Sequence, residues 1–461
     1  MVDYAIDGAK QGSYRFPGDF VLGNIDYVNR DGEVFSLQML AEEINVYQSI
    51  FQPFMKIEIA RNDSAGFINA QPDSVTGGEI LYLSFKTSDP NLNTIKLAFL
   101  VNSIVKRARN NEGNEQYVIE GFSVEYFTSI DKKISKAFGY PSGKKITEIV
   151  QIIHDEYINT ASVKNIYKFL GSNQRQVNKE NYGVIRSDST TGLHQCVIPN
   201  MNPVQAIRYL IRQAVDDDLA SRYYFYERFD GFYFSSLGKL VNESPKYEDY
   251  IYYPSTQVEN NYFNITNMER VKDVNITENM AEGLYASTTV ELDPLRKNVT
   301  TTEFHYENES FNSLNELKVQ GGADKNAIIH LKTSRRGHDT DSFFNSESPI
   351  SSRDVLKDPF RDSFFKQITN NILRLTMYGN SDINVGDSIR ATFNNATSYE
   401  DGKKEDKYTS GKYLITNARH QITKTSYMTV VECVKDTGTK RRANTSTGGG
   451  QVRRYYHFLS S

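Results

Sequence analysis

Cysteine is scarce in this chain of 461 residues, and tryptophan is absent. The two cysteines, Cys196 and Cys433, lie far apart and lack the spacing of a metal site or a disulfide framework. We therefore expect reduced thiols in a protein that assembles in the cytoplasm. No signal peptide opens the chain, and no run of about 18 apolar residues occurs, so the sequence predicts no stable insertion into a membrane.

The motifs of common enzymes are also missing. The seven histidines show no metal-ligand spacing, and neither G-x-S-x-G, H-E-x-x-H nor a phosphate-binding loop occurs. A cell-wall hydrolase would need two carboxylates in a cleft, whereas the cluster Asp216, Asp217 and Asp218 is explained by a solvated helix end. A polar loop explains His338, and packing in a strand explains His420. The sequence predicts no catalytic residue, no cofactor and no metal site.

Basic residues are not in excess, because the net charge is −4, but they gather at the C-terminus. Residues 438–461 carry a charge of +5 and no acid, which leaves −9 for the rest of the chain. We expect this tail to dock on a partner protein, with a nucleic-acid contact as the alternative. The candidate docking residues are Arg441, Arg442, Arg453, Arg454, Tyr455, Tyr456 and Phe458.

Aromatic residues are abundant, with 30 Tyr and 26 Phe, and they suit pleated sheets and contact surfaces. From residue 21 onward, strand-like runs follow one another. In one of them Met55, Ile57 and Ile59 share a face, which is the period of a half-buried strand. The pattern predicts an antiparallel β-barrel over residues 21–130, after an N-terminal arm over residues 1–20.

Helical spacing replaces this alternation further along. A first helix has its apolar stripe at Ile146, Ile149, Val150 and Ile153. A second helix begins at Pro203, and the polar residues 159–200 between the two helices are predicted to form a loop. A hairpin follows, with Asp230 and Gly231 as its turn, where Gly231 supplies a positive φ. These elements predict an α/β domain over residues 131–250.

The last part of the chain returns to β-type alternation. Residues 251–306 together with 369–436 predict a second antiparallel β-barrel, closed so that no strand edge is exposed. A polar insertion over residues 307–368 interrupts it, and a helix from about residue 360 to 374 leads back into the barrel. The tail covers residues 437–461. The predicted turn residues of the second barrel are Gly379, Gly386, Asp387 and Gly411.

Three phrases of the sequence resemble one known family. INVYQSIFQPFMKIEIARND followed by GGEILYLSFKTSD resembles the opening domain of baseplate hub proteins of contractile, T-even-like phages. The hairpin YYFYERFDGFYFSSL resembles their α/β domain. The order of Gly379, Gly386, Asp387, Gly411 and His420 is similar to their tube-like barrel, which the hub part of type VI secretion spike proteins shares. The resemblance covers about residues 20–436.

The resemblance implies both a fold and a role. The fold is α+β and multidomain, with two tube-like antiparallel β-barrels, an α/β domain between them and a polar insertion in the second barrel. Three such chains would form a homotrimeric, pseudo-sixfold ring in the virion baseplate. This symmetry adaptor would join the hexameric tail tube to the trimeric central spike and leave a channel for DNA ejection. The partners would be the tail tube protein, the spike protein and wedge or tape-measure proteins, and an acidic channel wall would let DNA pass without holding it.

Other classes of protein remain open at this point. A receptor-binding protein at the periphery of the tail would bind glycans, and a cell-wall-degrading tail enzyme would cleave peptidoglycan. A secretion spike is not among them: it would need a β-helical needle after residue 436, where only a short tail remains, so a needle would have to come from a separate partner.

Overall fold

Strands dominate the regular structure, and short helices connect or cover them. Several separate hydrophobic cores are present, so the predicted α+β class and multidomain organisation are confirmed. The structure, a computed structural model, describes residues 19–38, 41–63, 77–87, 92–111, 114–178, 186–216, 222–252, 263–294, 297–306, 314–315, 328–333, 353–394 and 405–437.

The first part of the chain is a system of seven strands. They are β1 (Phe20–Val28), β2 (Val34–Ser36), β3 (Ala41–Ser49), β4 (Lys56–Asp63), β5 (Ile80–Thr87), β6 (Ile95–Asn111) and β7 (Asn114–Ser123). They pair in the order β3-β4-β7-β6-β5-β1-β2. In β4 every second side chain is buried, and Ile57 and Ile59 pack with Phe85 and Phe99 in one core. The predicted period of two is therefore correct here.

The middle part combines helices with two small sheets. Its elements are α1 (Val124–Ile130), β8 (Ile134–Phe138), α2 (Ile146–Ile153), a π-helical turn (His154–Ile158), α3 (Ala161–Ser172), β9 (Arg186–Ser187), β10 (Cys196–Met201), α4 (Pro203–Ile211), β11 (Tyr223–Arg228), β12 (Gly231–Ser236) and α5 (Leu237–Asn242). Strand β8 pairs with β10, and β12 lies between β11 and β9. The side chain of Asn202 caps α4 and forms a capping box with Gln205.

One helix in this part contradicts the prediction of a loop over residues 159–200. Helix α3 lies inside that range and buries Val163, Tyr167 and Leu170. These residues are four and three positions apart, which is the spacing of one helical face, and they pack against the outside of the first strand system at Tyr82. The polar residues between them concealed this stripe.

The remaining elements are β13 (Tyr247–Tyr252), β14 (Asn264–Lys272), α6 (Ile276–Ala281), β15 (Ala286–Asp293), β16 (Asn298–His305), β17 (Ile328–Thr333), α7 (Arg353–Ile368), β18 (Asn371–Tyr378), β19 (Ser388–Thr392), β20 (Gly411–Thr423) and β21 (Tyr427–Lys435). Six of these strands pair in a closed cycle, in the order β13-β14-β18-β21-β20-β19 and back to β13. We call this set the six-strand cycle.

A single long strand joins the two strand systems. The first residues of β20 pair with β19, and its residues 417–423 pair with β3. Both systems therefore belong to one sheet of 13 strands.

Two predictions for the C-terminal part are wrong. Strands β15 and β16 do not join the six-strand cycle; they form a separate sheet with β17, which lies inside the predicted polar insertion. Helix α7 covers this sheet, and the rings of Phe304 and Phe360 lie 5.1 Å apart. The helix ends at Ile368, because Leu373 and Leu375 are buried at a spacing of two and continue as strand β18. The described residues of the predicted insertion thus contribute to a hydrophobic core through Leu314, Phe364 and Ile368.

Candidate assembly surfaces

The tip of the β11–β12 hairpin contacts the first strand system through a buried carboxylate. Glu227 accepts a hydrogen bond from the backbone N–H of Met55 at 2.7 Å and another from the Ser123 hydroxyl at 2.5 Å. Ser123 ends β7, and Met55 directly precedes β4. Because a buried carboxylate is stable only when it is hydrogen-bonded, these contacts fix the hairpin against the ends of two neighbouring strands.

The same tip also contacts the turn that leads into β19. The guanidinium of Arg228 lies 2.9 Å from the carboxylate of Asp387. Burial disfavours the charged guanidinium, yet the Asp387 carboxylate holds the pKa of Arg228 above its ordinary value. The backbone N–H of Phe229 donates to the side-chain oxygen of Asn384 at 3.4 Å, and the Phe229 ring lies 4.8 Å from that of His420. The hairpin therefore connects both strand systems.

The predicted turn residue Gly231 lies at this tip, one position away from its predicted place. It pairs with Arg228, so the two turn residues are Phe229 and Asp230 and not the predicted pair that included Gly231. Gly231 opens β12 with a φ of 142°, a conformation that favours glycine.

Gly386 and Asp387 lie on the opposite side of the contact. Gly386 has a φ of 82°, and a Cβ atom at this position would lie 2.6 Å from the Tyr226 hydroxyl oxygen of β11. Asp387 accepts hydrogen bonds from the backbone N–H of Asn384 at 3.0 Å and from the Lys246 ammonium at 3.3 Å. Glycine is needed here both for the left-handed backbone and for the close approach of the hairpin.

Gly379 and Gly411 lie at other contacts of the six-strand cycle. A Cβ atom at Gly379 would lie 2.1 Å from the ring of Tyr427, so this glycine permits close packing. Gly411 has a φ of 144° and is the first residue of β20; it follows the predicted turn and is not part of it. A Cβ atom there would lie 2.4 Å from the side-chain oxygen of Asn315 and 3.1 Å from the Lys435 nitrogen.

His420 has the surroundings of a packing residue. Its ring is completely buried, and its Nδ1 atom lies 2.8 Å from the Tyr427 hydroxyl oxygen. Burial lowers the pKa of His420 to about 3, so the ring is neutral at ordinary pH. It fills the space between Tyr427 and the hairpin residue Phe229.

The described residues contain no group of three or more His, Cys, Asp or Glu that could hold a metal ion. Asp216 lies five positions after the end of α4 and is buried, so the expectation of a solvated helix end is wrong for this residue. Asp217, Asp218 and His338 lie outside the described residues. The candidate docking residues of the tail, from Arg441 to Phe458, also lie outside them. No helix in the described ranges is long and apolar enough to span a membrane.

A polar sheet face crosses both strand systems. Eight neighbouring strands pair antiparallel in the order β14-β18-β21-β20-β3-β4-β7-β6. One face of these strands covers the two cores, and the opposite face carries a groove of about 930 Å³ at the junction of β3 and β20. Charged and aromatic residues line this polar face, among them Tyr47, Lys56, Glu58, Arg374, Arg419 and Glu432.

The charges on the polar face occur in pairs. Arg374 lies 2.8 Å from Glu269, and Arg419 lies 2.8 Å from Glu43. Lys56 contacts Glu58 at 2.9 Å and also Glu120, whose pKa is lowered by the hydrogen bond from the Lys56 ammonium. Each of the three bases therefore has a carboxylate beside it, and the groove has no unbalanced patch of one sign.

The eight-stranded face has an open strand edge at each end. Beyond Leu100, β6 pairs only with β7, so within the described ranges no strand lies beside residues 102–111. At the other end β13 pairs only with the first two residues of β14, and no described strand lies on that side of residues 266–272. Unpaired edges of this kind are templates for pairing with another chain.

Comparison with protein-family models finds no match, and comparison with curated proteins finds none. Among solved structures, the tail protein from Neisseria meningitidis MC58 matches with a TM-score of 0.51 and 8% identity, over 91% of this chain and 97% of that one. The 43 kDa tail protein of prophage MuSo2 from Shewanella oneidensis matches with a TM-score of 0.51 and 10% identity, over 89% and 98%. The chain has the fold of a phage tail protein.

At these identities the likeness concerns the fold alone, and the fold of tail proteins agrees with the resemblance to baseplate hub proteins. The E. coli c3393 protein, a component of the type VI secretion system, matches with a TM-score of 0.37 and 9% identity, over 90% of this chain and 76% of that one.

Sequence reasoning missed how the tail-protein fold is held together at the hairpin tip. A signal was present in YYFYERFDGFYFSS, where the charged residues Glu227, Arg228 and Asp230 stand among aromatic ones. Such a hairpin is buried on both faces, so the charges at its tip must find partners inside the protein. The identity of those partners, Asp387 above all, depends on tertiary contacts with residues more than 100 positions away along the chain.

Proposed function

We propose that this protein is the central hub subunit of a phage tail baseplate, a structural component of the virion and not an enzyme. The observation that carries the proposal is the likeness to two tail proteins, which extends over nearly the whole length of each compared chain. A likeness of this extent supports a shared architecture rather than one borrowed domain. The phrases of the sequence that resemble hub proteins support the more specific role.

The two open edges support a closed ring. They lie at opposite ends of one eight-stranded face, so the edge of β6 in one copy can pair with the edge of β14 in the next. Such head-to-tail contacts close into a ring when the rotation between copies allows it. In a homotrimer, the first strand system and the six-strand cycle would act as two tube-like barrels per chain. Six similar barrels, two from each of the three chains, would then surround the axis, which gives pseudo-sixfold symmetry.

A ring of this kind would be a symmetry adaptor. Its six barrels would match the hexameric tail tube of a contractile tail, and its three chains would match a trimeric central spike. Wedge or tape-measure proteins would be further partners in the baseplate. We assign the basic tail over residues 438–461 to partner docking, because it combines five bases with an aromatic end.

The polar face would line the channel for DNA ejection. The bases that line its groove, Lys56, Arg374 and Arg419, are each paired with a carboxylate. A protein binds DNA mainly through Lys and Arg side chains that neutralise phosphates and release counterions. Side chains that are already paired with a carboxylate therefore add little affinity for DNA. This wall carries mixed and balanced charge, unlike the uniformly acidic wall expected from the net charge, and it would let DNA pass without specific binding.

Mass and symmetry of the purified protein test the proposal. Light scattering should give three times the chain mass of 52.6 kDa, and negative-stain averages should show a threefold ring with pseudo-sixfold density and an open centre. If the chain is monomeric alone, the measurement is repeated with the spike partner. Failure to form the ring there as well overturns the hub proposal, and zymograms and glycan binding then test the enzyme and receptor-binding alternatives.

Charge reversal at an open edge tests the ring contact itself. Lys106→Glu with Arg109→Glu alters exposed side chains in the part of β6 whose outer edge is open, and should abolish trimers while the monomer stays folded. The matched control is Lys164→Glu with Lys168→Glu on the exposed side of α3, which should leave the trimer intact. Trimers that survive the first pair would exclude this edge from the ring interface.

A further inference from the structure

A second cavity, of about 520 Å³, lies between α4, β11 and α7. Its lining differs from that of the groove on the polar face, and the two share only Phe51. Apolar side chains form its floor, among them Ile207 and Ile211 of α4 and Phe225 of β11. Phe51, which is 42% exposed, stands at its side with its ring 5.6 Å from that of Tyr224. The volume is within the range of sites that bind small ligands or anchor side chains.

A buried arginine fixes two walls of the cavity. Arg361 of α7 is 7% exposed and donates hydrogen bonds to the backbone oxygens of Ile211 at 3.0 Å, of Arg212 at 2.7 Å and of Ala214. These carbonyl groups lie at the C-terminal end of α4, where a helix leaves its carbonyls without internal partners. Helix α7 is thereby attached to α4, and the cavity exists before any ligand enters.

The mouth of the cavity has an excess of positive charge. Arg208 lies on α4 and Arg212, four positions later, caps its C-terminal end; both are exposed, and both line the cavity. Neither has a side-chain partner among the described residues, whereas the two acids of the lining do. Asp362 pairs with Arg222, and Asp358 lies 2.8 Å from Lys332.

We propose that this cavity is the docking site for an acidic peptide segment of a partner protein, with one large apolar side chain as its anchor. The anchor would fill the space between Ile207, Ile211 and Phe51. Carboxylates of the same segment would pair with Arg208 and Arg212, since guanidinium groups bind carboxylates through two parallel hydrogen bonds. A nucleic acid would use the arginines but would leave the apolar floor empty. The proposal goes beyond the hub assignment and does not require the ring.

Fluorescence anisotropy with the full chain and a labelled peptide tests the site. The probe is a fluorescein-labelled peptide of ten residues made of glutamate and leucine with one central phenylalanine. We expect saturable binding with a Kd of roughly 1–100 µM. A second peptide with lysine in place of glutamate should bind at least about tenfold more weakly, because it would face the two arginines with like charge.

Variants then assign the binding to this cavity. Arg208→Glu with Arg212→Glu should weaken the acidic peptide at least about tenfold, and Phe51→Ala should weaken it about three- to tenfold. The control pair Lys164→Glu with Lys168→Glu has the same spacing on α3 and should change the affinity less than about twofold. Unchanged circular dichroism and thermal unfolding establish that each variant is folded.

Three results would overturn the proposal. They are no saturable binding of the acidic peptide, equal binding of the acidic and basic peptides, and unaltered affinity in the double arginine variant. A labelled oligothymidylate that binds more tightly than the peptide and loses affinity in the same variant would also overturn it, because the arginines would then serve a nucleic acid.

Discussion

The guanidinium of Arg228 and the carboxylate of Asp387 form an ion pair at 2.9 Å, with side chains that are only 11% and 10% exposed. The two residues are far apart in the sequence, and their contact joins the β11–β12 hairpin to the turn before β19. Because both charges are withdrawn from water, removal of one takes away the nearest counter-charge of the other, and Asp387 would keep only the Lys246 ammonium at 3.3 Å.

The first prediction concerns this ion pair. Arg228→Ala should lower the free energy of unfolding by about 2–4 kcal/mol, as measured by urea denaturation. A buried charge left with no partner costs about 3–5 kcal/mol, and the Lys246 ammonium 3.3 Å from Asp387 offsets part of that cost. Arg186→Ala is the control, because Arg186 and its partner Glu243 are 64% and 44% exposed. That variant should lose less than about 1 kcal/mol. Equal losses in the two variants would contradict the special role of the Arg228–Asp387 pair.

The second prediction separates backbone strain from close packing at a glycine. Gly386→Val should misfold the C-terminal strands, because the new side chain would meet the Tyr226 hydroxyl in addition to requiring a φ of 82°. Gly78 has a φ of 90°, and a Cβ atom added there would meet no other atom within 4 Å, so Gly78→Val measures the cost of the backbone conformation alone.

We expect Gly78→Val to cost about 1–3 kcal/mol and to remain folded. Gly386→Val should cost at least about 1–3 kcal/mol more, because overpacking adds to the strain. Soluble yield and thermal unfolding are the measurements. Similar behaviour of the two variants would mean that the approach of the hairpin does not require glycine.

The third prediction concerns stability in acid. Burial lowers the pKa of His420 from 6.5 to about 3, so between these values the unfolded chain binds a proton that the folded chain does not. Stability from this residue is therefore complete above pH 6.5 and falls as the pH decreases toward 3, by about 1.4 kcal/mol per pH unit. His420→Gln should remove this part of the slope, measured by urea unfolding at several pH values.

Carboxylates contribute equally to the pH dependence of stability in the unaltered protein and in His420→Gln. The difference between the two slopes is therefore the contribution of His420. Tyr427→Phe is the control, because it removes the hydrogen bond to the ring but keeps the ring buried. The stability of Tyr427→Phe should change with pH as steeply as that of the unaltered protein. A slope that is the same with and without His420 would mean that the ring is protonated as easily in the folded protein as in the unfolded chain.

The fourth prediction concerns the basic tail. A chain that ends after Thr437 should keep its thermal stability and its oligomeric state but lose affinity for a partner baseplate protein in pull-down assays. Reversal of Arg453 and Arg454 to Glu should have a similar effect, because it removes the charge while keeping the length. Infectious particles assembled with the shortened chain would refute a docking role.

The period of two in the strands was predictable because each half-buried strand has its own apolar face, as in β4 with Ile57 and Ile59. The boundary between α7 and β18 was not predictable, because the whole phrase FRDSFFKQITNNILR is compatible with a helix. Only the burial of Leu373 and Leu375 on one face of β18 shows that its last residues form a strand. Helix α3 was missed because only three buried residues in a polar segment mark it.

The candidate surfaces were less accessible to sequence reasoning than the fold. Glycines were recognised as special positions, but their reasons differ. Gly379 accommodates the ring of Tyr427, and Gly386 accommodates the hairpin, and neither neighbour is close in sequence. The two open edges and the cavity between α4 and α7 result from which strands and helices become neighbours, and alternation along a single strand carries no information about that.

The strand shared by both systems has a consequence for biosynthesis. The hydrogen bond from Arg419 in β20 to Asn45 in β3 spans 374 positions of the chain. While the ribosome makes the chain, β3 has no partner on this side until β20 emerges more than 360 positions later, and until then one edge of the first strand system stays unpaired. Contacts of such long range slow folding and expose strand edges to aggregation. We therefore expect the nascent chain to depend on chaperones until β20 has left the ribosome.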